Sequence, residues 1–364
     1  MMFSQPITQF GSGTLMVMAG GTGGHVYPAM AVADYMKEHG WNIVWLATEG
    51  GMENRLIEGK DYKKAMMTMR GVRGKGLLGW VLLPIKLVTA LEQSFSAIRQ
   101  HQPNVVLGMG GFAAFPGGLM AKLLGKPLVI HEQNSIAGLT NKTLALIANK
   151  VLAAFPSAFG DKAELVGNPV RHDITQLPAP QARYACRTGK LRLLVVGGSL
   201  GAQALNEVLP KALAGLPKEM TFDVVHQAGE KHITALQANY KKAGVGVDAK
   251  AFINNMAEMY AWADVVICRA GALTVAELAC VGVASILVPF PHAVDDHQTY
   301  NAQYLSDAGA AQLIQQTAFS VDRATEMLRS LTRDICLEMA IKAKQLAKPE
   351  ATATVAKICM EIAS

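Results

Sequence analysis

Disulfide and zinc chemistry find little material in this sequence. Its 364 residues include five cysteines, Cys186, Cys268, Cys280, Cys336 and Cys359, with no C-x-x-C pair among them. An odd, scattered set argues against a disulfide framework or a zinc site and predicts small apolar core residues. Charged residues are sparse at 17% and aromatics at 6%. There is also no run of about 18 apolar residues, the span of a bilayer helix. The uncharged stretch Pro103 to Ala121 carries five glycines and Pro116, and reads as strand, loop and helix start. The opening MMFSQPITQFGSG lacks the basic segment and apolar core of a secretory signal. A cytosolic protein is predicted.

What is present is apolar mass, 51% of the chain. At roughly 100–200 residues per domain the length predicts two domains, each able to bury its own core. The net charge of +6 is unevenly placed. Residues 1 to 171 hold 16 basic and 10 acidic side chains, whereas residues 172 to 364 hold 18 of each. Within the first half, Lys60 to Lys86 carries seven basic residues against the single Asp61.

Two segments read as a strand running into a glycine turn: LMVMAGGTGGH (Leu15 to His25) and LRLLVVGGSLGA (Leu191 to Ala202). A continuous apolar run marks a strand buried on both faces of a parallel sheet. Further strands are predicted at Asn42 to Ala47, Asn104 to Met109, Pro127 to Glu132, Lys150 to Phe155, Thr221 to Gln227, Asp264 to Arg269 and Ala284 to Phe290, separated by helical stretches. Strand alternating with helix means α/β. Two Rossmann-like domains in tandem are expected, 1–170 and 171–340, followed by a helical tail, 341–364. The join is placed near GNPVRHDI (Gly167 to Ile174), with LPAPQ continuing as linker. Ligands of open α/β sheets bind at the carboxyl ends of the strands, so functional residues should cluster in a cleft where the two sets of strands end.

The first glycine turn is not a dinucleotide fingerprint, because Val26 stands where the third glycine of G-x-G-x-x-G would be and Glu49 lies beyond the usual acid position. Its physics survives: glycines admit a ligand to the backbone, and the next helix N-terminus favours an anion. A second constellation is RAGALTVAE (Arg269 to Glu277), in which Thr274 to Glu277 also reads as a T-x-x-E capping box.

GGTGGH, VLGMGGF, HEQNSIAGLTNK (His131 to Lys142), GNPVR, GGSLGA, GALTVAE and DDHQTYNA occur in one order and spacing from about Leu15 to Ala310. In this the chain resembles the MurG family, bacterial enzymes that join N-acetylglucosamine from UDP-GlcNAc to a lipid-linked muramyl pentapeptide. The resemblance implies a GT-B fold and transfer, with inversion, to the C4 hydroxyl of the muramyl sugar of lipid I, giving lipid II. It implies Thr22, Gly23, Gly24 and Asn134 near the transferred sugar, and Arg171 and Ser199 at the nucleotide and phosphates. Ile253 would read uracil through its backbone. Ala272, Leu273, Thr274, Val275, Ala276 and Glu277 would form the α-phosphate and ribose loop, Glu277 accepting from ribose hydroxyls, and Gln298 would meet a GlcNAc hydroxyl.

The reaction needs a base, charge stabilisation for UDP and an oriented sugar. His25, at the mouth of the first glycine turn, is the first choice of base, because imidazole is the side chain suited to proton transfer near neutral pH; Glu132 and His131 are runners-up. No D-x-D occurs, so no metal or other cofactor is expected, and helix N-termini with Arg171 are assigned the leaving group. Phe112, Ala114, Leu200 and His297 replace a Tyr, a Ser and two glutamines common in the family, removing side-chain contacts there.

A lipid-anchored acceptor implies docking on a membrane. Arg70 to Leu87 combines Lys75 and Lys86 with Leu77, Leu78, Trp80, Leu82 and Leu83, which suits an anionic surface. A peripheral place on the cytoplasmic face of the bacterial membrane, with UDP-GlcNAc, lipid I and proteins of cell-wall synthesis as partners, is the expectation. Nucleic acid is not expected, because the basic stretch lacks interleaved aromatic platforms. Rival readings are a GT-B transferase with another acceptor, a UDP-GlcNAc epimerase, and a non-enzymatic nucleotide-sugar-binding regulator.

Overall fold

The computed structural model describes residues 11–68, 83–198 and 201–364. Contacts divide the chain into two units, Met1–Arg171 with Pro349–Ser364, and His172–Lys348. The first holds β1 (Thr14–Met18), β2 (Asn42–Thr48), β3 (Lys63–Met67), β4 (Val105–Gly108), β5 (Leu128–Glu132), β6 (Lys150–Ala153) and β7 (Glu164–Leu165) in the order β3-β2-β1-β4-β5-β6-β7. The second holds β8 (Leu191–Val196), β9 (Phe222–Gln227), β10 (Asp248–Lys250), β11 (Val265–Cys268), β12 (Ala284–Leu287) and β13 (Ala311–Leu313) in the order β10-β9-β8-β11-β12-β13. Every pairing is parallel.

Alternation explains the apolar runs. Leu15 and Val17 of β1 enter one core with the helices Gly23–Glu38 and Ala351–Ala363. Met16 and Met18 enter another with the helices Leu83–His101 and Ala114–Leu123. Successive strand side chains point to opposite faces, so a sheet covered on both must be apolar at every position.

The strands that the sequence pattern leaves unmarked are β3, β7, β10 and β13, the outer strands of the two sheets. The C-terminal expectation is corrected. The helix Arg333–Gln345 belongs to the second unit, while Ala351–Ala363 returns to the first and buries Val355, Ala356, Cys359 and Met360 in its core. Residues 341–364 are therefore not a tail. The second unit is pinned where its linker helix Pro180–Tyr184 meets the start of β11: Arg187 pairs with fully buried Asp264, and Tyr184 Oη donates to Asp264 O at 2.6 Å.

Four cysteines are buried, and burial pushes their thiols up, Cys268, Cys336 and Cys359 to about 12 and Cys280 to about 11. Cys186 is exposed and departs from the expectation for the set. Of the residues expected at a membrane, Lys75, Leu77, Leu78, Trp80 and Leu82 lie outside the described residues, as does the side chain of Leu83. Lys86 is half-buried, while its neighbours Ile85 and Val88 are 66% and 55% exposed. No helix among the described residues is long and apolar enough to cross a membrane.

Candidate active site

Each unit carries its loops where the strand order reverses, beside β1 and β4 in the first and beside β8 and β11 in the second. Strands diverge into opposite crossovers there and leave a crevice at their carboxyl ends.

In the first unit β1 ends in Gly20–Gly21, and Thr22 caps the helix Gly23–Glu38 in extended geometry without a side-chain hydrogen bond. The N–H groups of Gly23 and Gly24 have no partner one turn back, while His25 N donates to Thr22 O at 3.1 Å, and no acid stands in that turn. The loop after β4 closes on this turn through glycine. A Cβ at Gly111, whose φ is +85°, would stand 2.3 Å from Gly20 O, and one at Gly110 would stand 3.0 Å from the His25 ring. Behind the turn lies fully buried Glu53, whose Oε1 accepts from Thr48 N at 2.8 Å and Thr48 Oγ1 at 2.6 Å.

His25 is half-buried and its Nδ1 lies 2.7 Å from Gln133 Oε1. Gln133 Nε2 donates to His131 Nδ1 at 3.0 Å and His131 O at 2.9 Å, and His131 Nε2 donates to Gly167 O at 2.9 Å. Gln133 and His131 are buried, and desolvation lowers the His131 imidazole to about 4. His131 is therefore neutral and occupied at both nitrogens.

Glu132 is corrected as a candidate base. Its Oε1 accepts from Asn134 N at 3.0 Å and Asn134 Nδ2 at 3.3 Å; its Oε2 accepts from Gly138 N at 3.1 Å and Asn141 Nδ2 at 2.9 Å. A buried carboxylate with both oxygens so engaged holds the Asn134–Gly138 loop rather than meeting a substrate. Asn134, half-buried, is thereby presented beside the His25 network. Arg171 is half-buried where the chain leaves the unit.

In the second unit β8 ends in Gly197–Gly198, and the helix Gln203–Ala214 begins after Ala202 with no side-chain cap and no acid in its first turn. Ser199 and Leu200 lie outside the described residues. Gly201, at φ +78°, brings the turn onto the loop after β9, where a Cβ would stand 2.2 Å from Ala228 O. Ile253 is buried in the irregular stretch after β10.

The capping-box reading of Thr274 to Glu277 is overturned. The cap is Gly271, extended and without a side-chain bond, so Thr274 is the third helical residue of Ala272–Val281 and Glu277 the sixth. Ala272 and Val275 turn their side chains into the core, and the N–H groups of Ala272, Leu273 and Thr274 are first-turn donors. Half-buried Ala276 lies in the next turn, and buried Glu277 accepts from Tyr260 Oη at 3.0 Å. Arg269 donates to Val288 O at 3.1 Å, Pro289 O at 3.2 Å and Gln316 Oε1 at 2.6 Å, tying the loop after β12 to β11. Gln298, in the helix His297–Ser306 that follows this loop, accepts through Oε1 from Phe290 N at 2.9 Å, and in the loop Asp295 and Asp296 hold positive φ of 52° and 51°. Strained non-glycine backbone of this kind gathers at ligand sites.

Sequence reasoning did not single out Gln133, Glu53, Tyr260 or Arg269. Gln133 and Arg269 lie within quoted motifs, but Glu53 and Tyr260 act through folding partners that no local pattern reveals.

Two parallel Rossmann-like sheets, each with an uncapped helix N-terminus at its switch point, place the chain in the class of GT-B folds. Family models agree: residues 15–153 match the glycosyltransferase family 28 N-terminal domain and residues 192–355 its C-terminal domain. A relative from Dechloromonas aromatica, named UDP-N-acetylglucosamine--N-acetylmuramyl-(pentapeptide) pyrophosphoryl-undecaprenol N-acetylglucosamine transferase, is 55% identical across 97% of this chain and 99% of its own. A relative of the same name from Cupriavidus metallidurans is 55% identical across 96% and 98%. The crystal structure of Acinetobacter baumannii MurG superposes with a TM-score of 0.85 at 41% identity, covering 96% of this chain and 99% of that one. The chain belongs to the MurG family within glycosyltransferase family 28.

Proposed function

We propose that this enzyme transfers GlcNAc from UDP-GlcNAc to the C4 hydroxyl of the muramyl sugar of lipid I, forming lipid II with inversion. The observation that carries the reading is the full-length match to transferases named for that donor and acceptor.

The C4 oxygen attacks the anomeric carbon as its proton passes to His25 Nε2. The bond from that carbon to the β-phosphate oxygen breaks, and its electron pair leaves on UDP. Attack from the face opposite UDP inverts the centre. In the first unit the resemblance assigns Thr22, Gly23, Gly24 and Asn134 to the transferred sugar; in the second it assigns a GlcNAc hydroxyl to the Gln298 amide, whose Oε1 accepts from Phe290 N. The helix N-termini at Gln203 and Ala272, with Arg171 and Ser199, take up charge on the diphosphate without a carboxylate-held metal. Glu277, oriented by Tyr260, accepts from the ribose hydroxyls, and the Ile253 backbone meets uracil. Dipoles aligned before the reaction need no reorganisation as charge develops, which favours the transition state over the bound substrate.

Residues 70 to 87 dock the enzyme on the cytoplasmic face of an anionic membrane, where the acceptor resides. Exposed Ile85 and Val88 beside Lys86 support this reading. Labelled UDP-GlcNAc incubated with lipid I in detergent should move its label into lipid. Epimerised free sugar, or binding without turnover, would refute the assignment.

A further inference from the structure

A neutral imidazole carries its proton on one of two nitrogens, and only the other can act as a base. Which nitrogen is available on His25 is decided by residues that touch no substrate. The chain of bonds begins at Gly167 O, which can only accept, so the proton of neutral His131 resides on Nε2, 2.9 Å away. His131 Nδ1 is then a lone pair and must be met by a donor, the Gln133 amide nitrogen at 3.0 Å. The second hydrogen of that nitrogen goes to His131 O at 2.9 Å. Flipping the amide would set its oxygen against a lone pair and a carbonyl, so one orientation survives. Gln133 therefore presents Oε1, an acceptor, to His25 Nδ1 at 2.7 Å.

We propose that Gln133 is a positioning residue that fixes His25 as the Nδ1–H tautomer and leaves Nε2 as the lone pair facing the acceptor hydroxyl. The consequence for turnover rests on His25 being the base; the tautomer assignment does not. The titratable groups on neighbouring elements do not compete for the ring. Glu132 is bound to Asn134, Gly138 and Asn141, Glu53 to Thr48, and His131 to Gln133 and Gly167. A Cβ at Gly110 would stand 3.0 Å from the His25 ring, so glycine there leaves the ring its place beside Gln133.

Nitrogen-15 NMR of the histidine-labelled full chain reads the tautomer directly. The native enzyme should show His25 with unprotonated Nε2 near neutral pH, and Gln133→Leu should show a mixture of both tautomers. In Gln133→Leu, kcat should fall in proportion to the Nδ1–H tautomer lost, about two- to tenfold, while KM for UDP-GlcNAc stays within about twofold. UDP-GlcNAc affinity and thermal unfolding report whether the variant is folded. An unchanged tautomer in folded Gln133→Leu overturns the proposal. A mixed tautomer with undiminished kcat upholds the positioning of His25 and instead removes it from the base role.

Discussion

The two glycine turns start alike and end with different chemistry. Both follow a buried strand at a switch point, and both run into an uncapped helix without an acid in its first turn. In the first unit the turn delivers a side chain: His25 sits one helical residue beyond Gly24 and is held by Gln133. In the second unit the groups offered by the turn and by Ala272–Thr274 are backbone dipoles, joined by one carboxylate, Glu277. A common strand-turn-helix unit supplies positive potential in both places, and in the proposed mechanism a few side chains divide proton transfer from nucleotide binding.

The largest test of that division is His25→Ala. It should lower kcat by about 10²–10⁴, the range of a general base, with UDP-GlcNAc affinity nearly unchanged in equilibrium titration. Near-normal turnover would place the base elsewhere. Glu277→Gln should do the reverse, because a hydrogen bond to a charged group is worth about 1.5–3 kcal/mol. KM for UDP-GlcNAc should rise about tenfold or more in steady-state kinetics while kcat changes little; a drop in kcat alone would blur the contrast.

Each unit also buries a neutral histidine, His131 in the first and His226 in the second, lowered by desolvation to about 4 and about 3. Unfolded histidine binds a proton below about 6.5. The unfolded state therefore holds more protons between 6.5 and these folded values. Stability present above pH 6.5 should be lost as pH falls, by about 1.4 kcal/mol per pH unit for each histidine. Urea midpoints between pH 7 and 4.5 measure the slope, and His226→Gln should remove one share of it. A slope unaffected by that change would show that His226 is not held neutral.

The smallest effect tests the charge asymmetry. Cationic residues near an anionic surface contribute about 1 kcal/mol each. Trp80→Glu with Leu78→Glu should reduce co-sedimentation with phosphatidylglycerol vesicles several-fold and leave UDP affinity intact. Unchanged vesicle binding would locate the docking surface elsewhere.

Much of the fold was legible because central strands announce themselves: LMVM, VVLG, LLVV and VVIC are apolar at successive positions. The outer strands KKAMM and DAK were not, since an edge strand has one neighbour and needs no such run. The capping box failed for a related reason. Thr274 and Glu277 have the right spacing, but Gly271 begins the helix earlier and Tyr260 engages the carboxylate. His25 was legible as a titratable group beside a glycine turn; Gln133 was not, because its role depends on two histidines 108 and 2 residues away.

By itself the sequence determined the two repeated strand-turn-helix units, the basic first half and the motif order that places the chain in its family. These are local or additive properties. Only the tertiary structure decided that the last helix returns to the first unit, that Glu132 spends both oxygens on a loop, and that an amide of fixed orientation faces His25. Such facts depend on hydrogen-bond partners brought together from distant strands, where burial away from water forces each donor to find an acceptor.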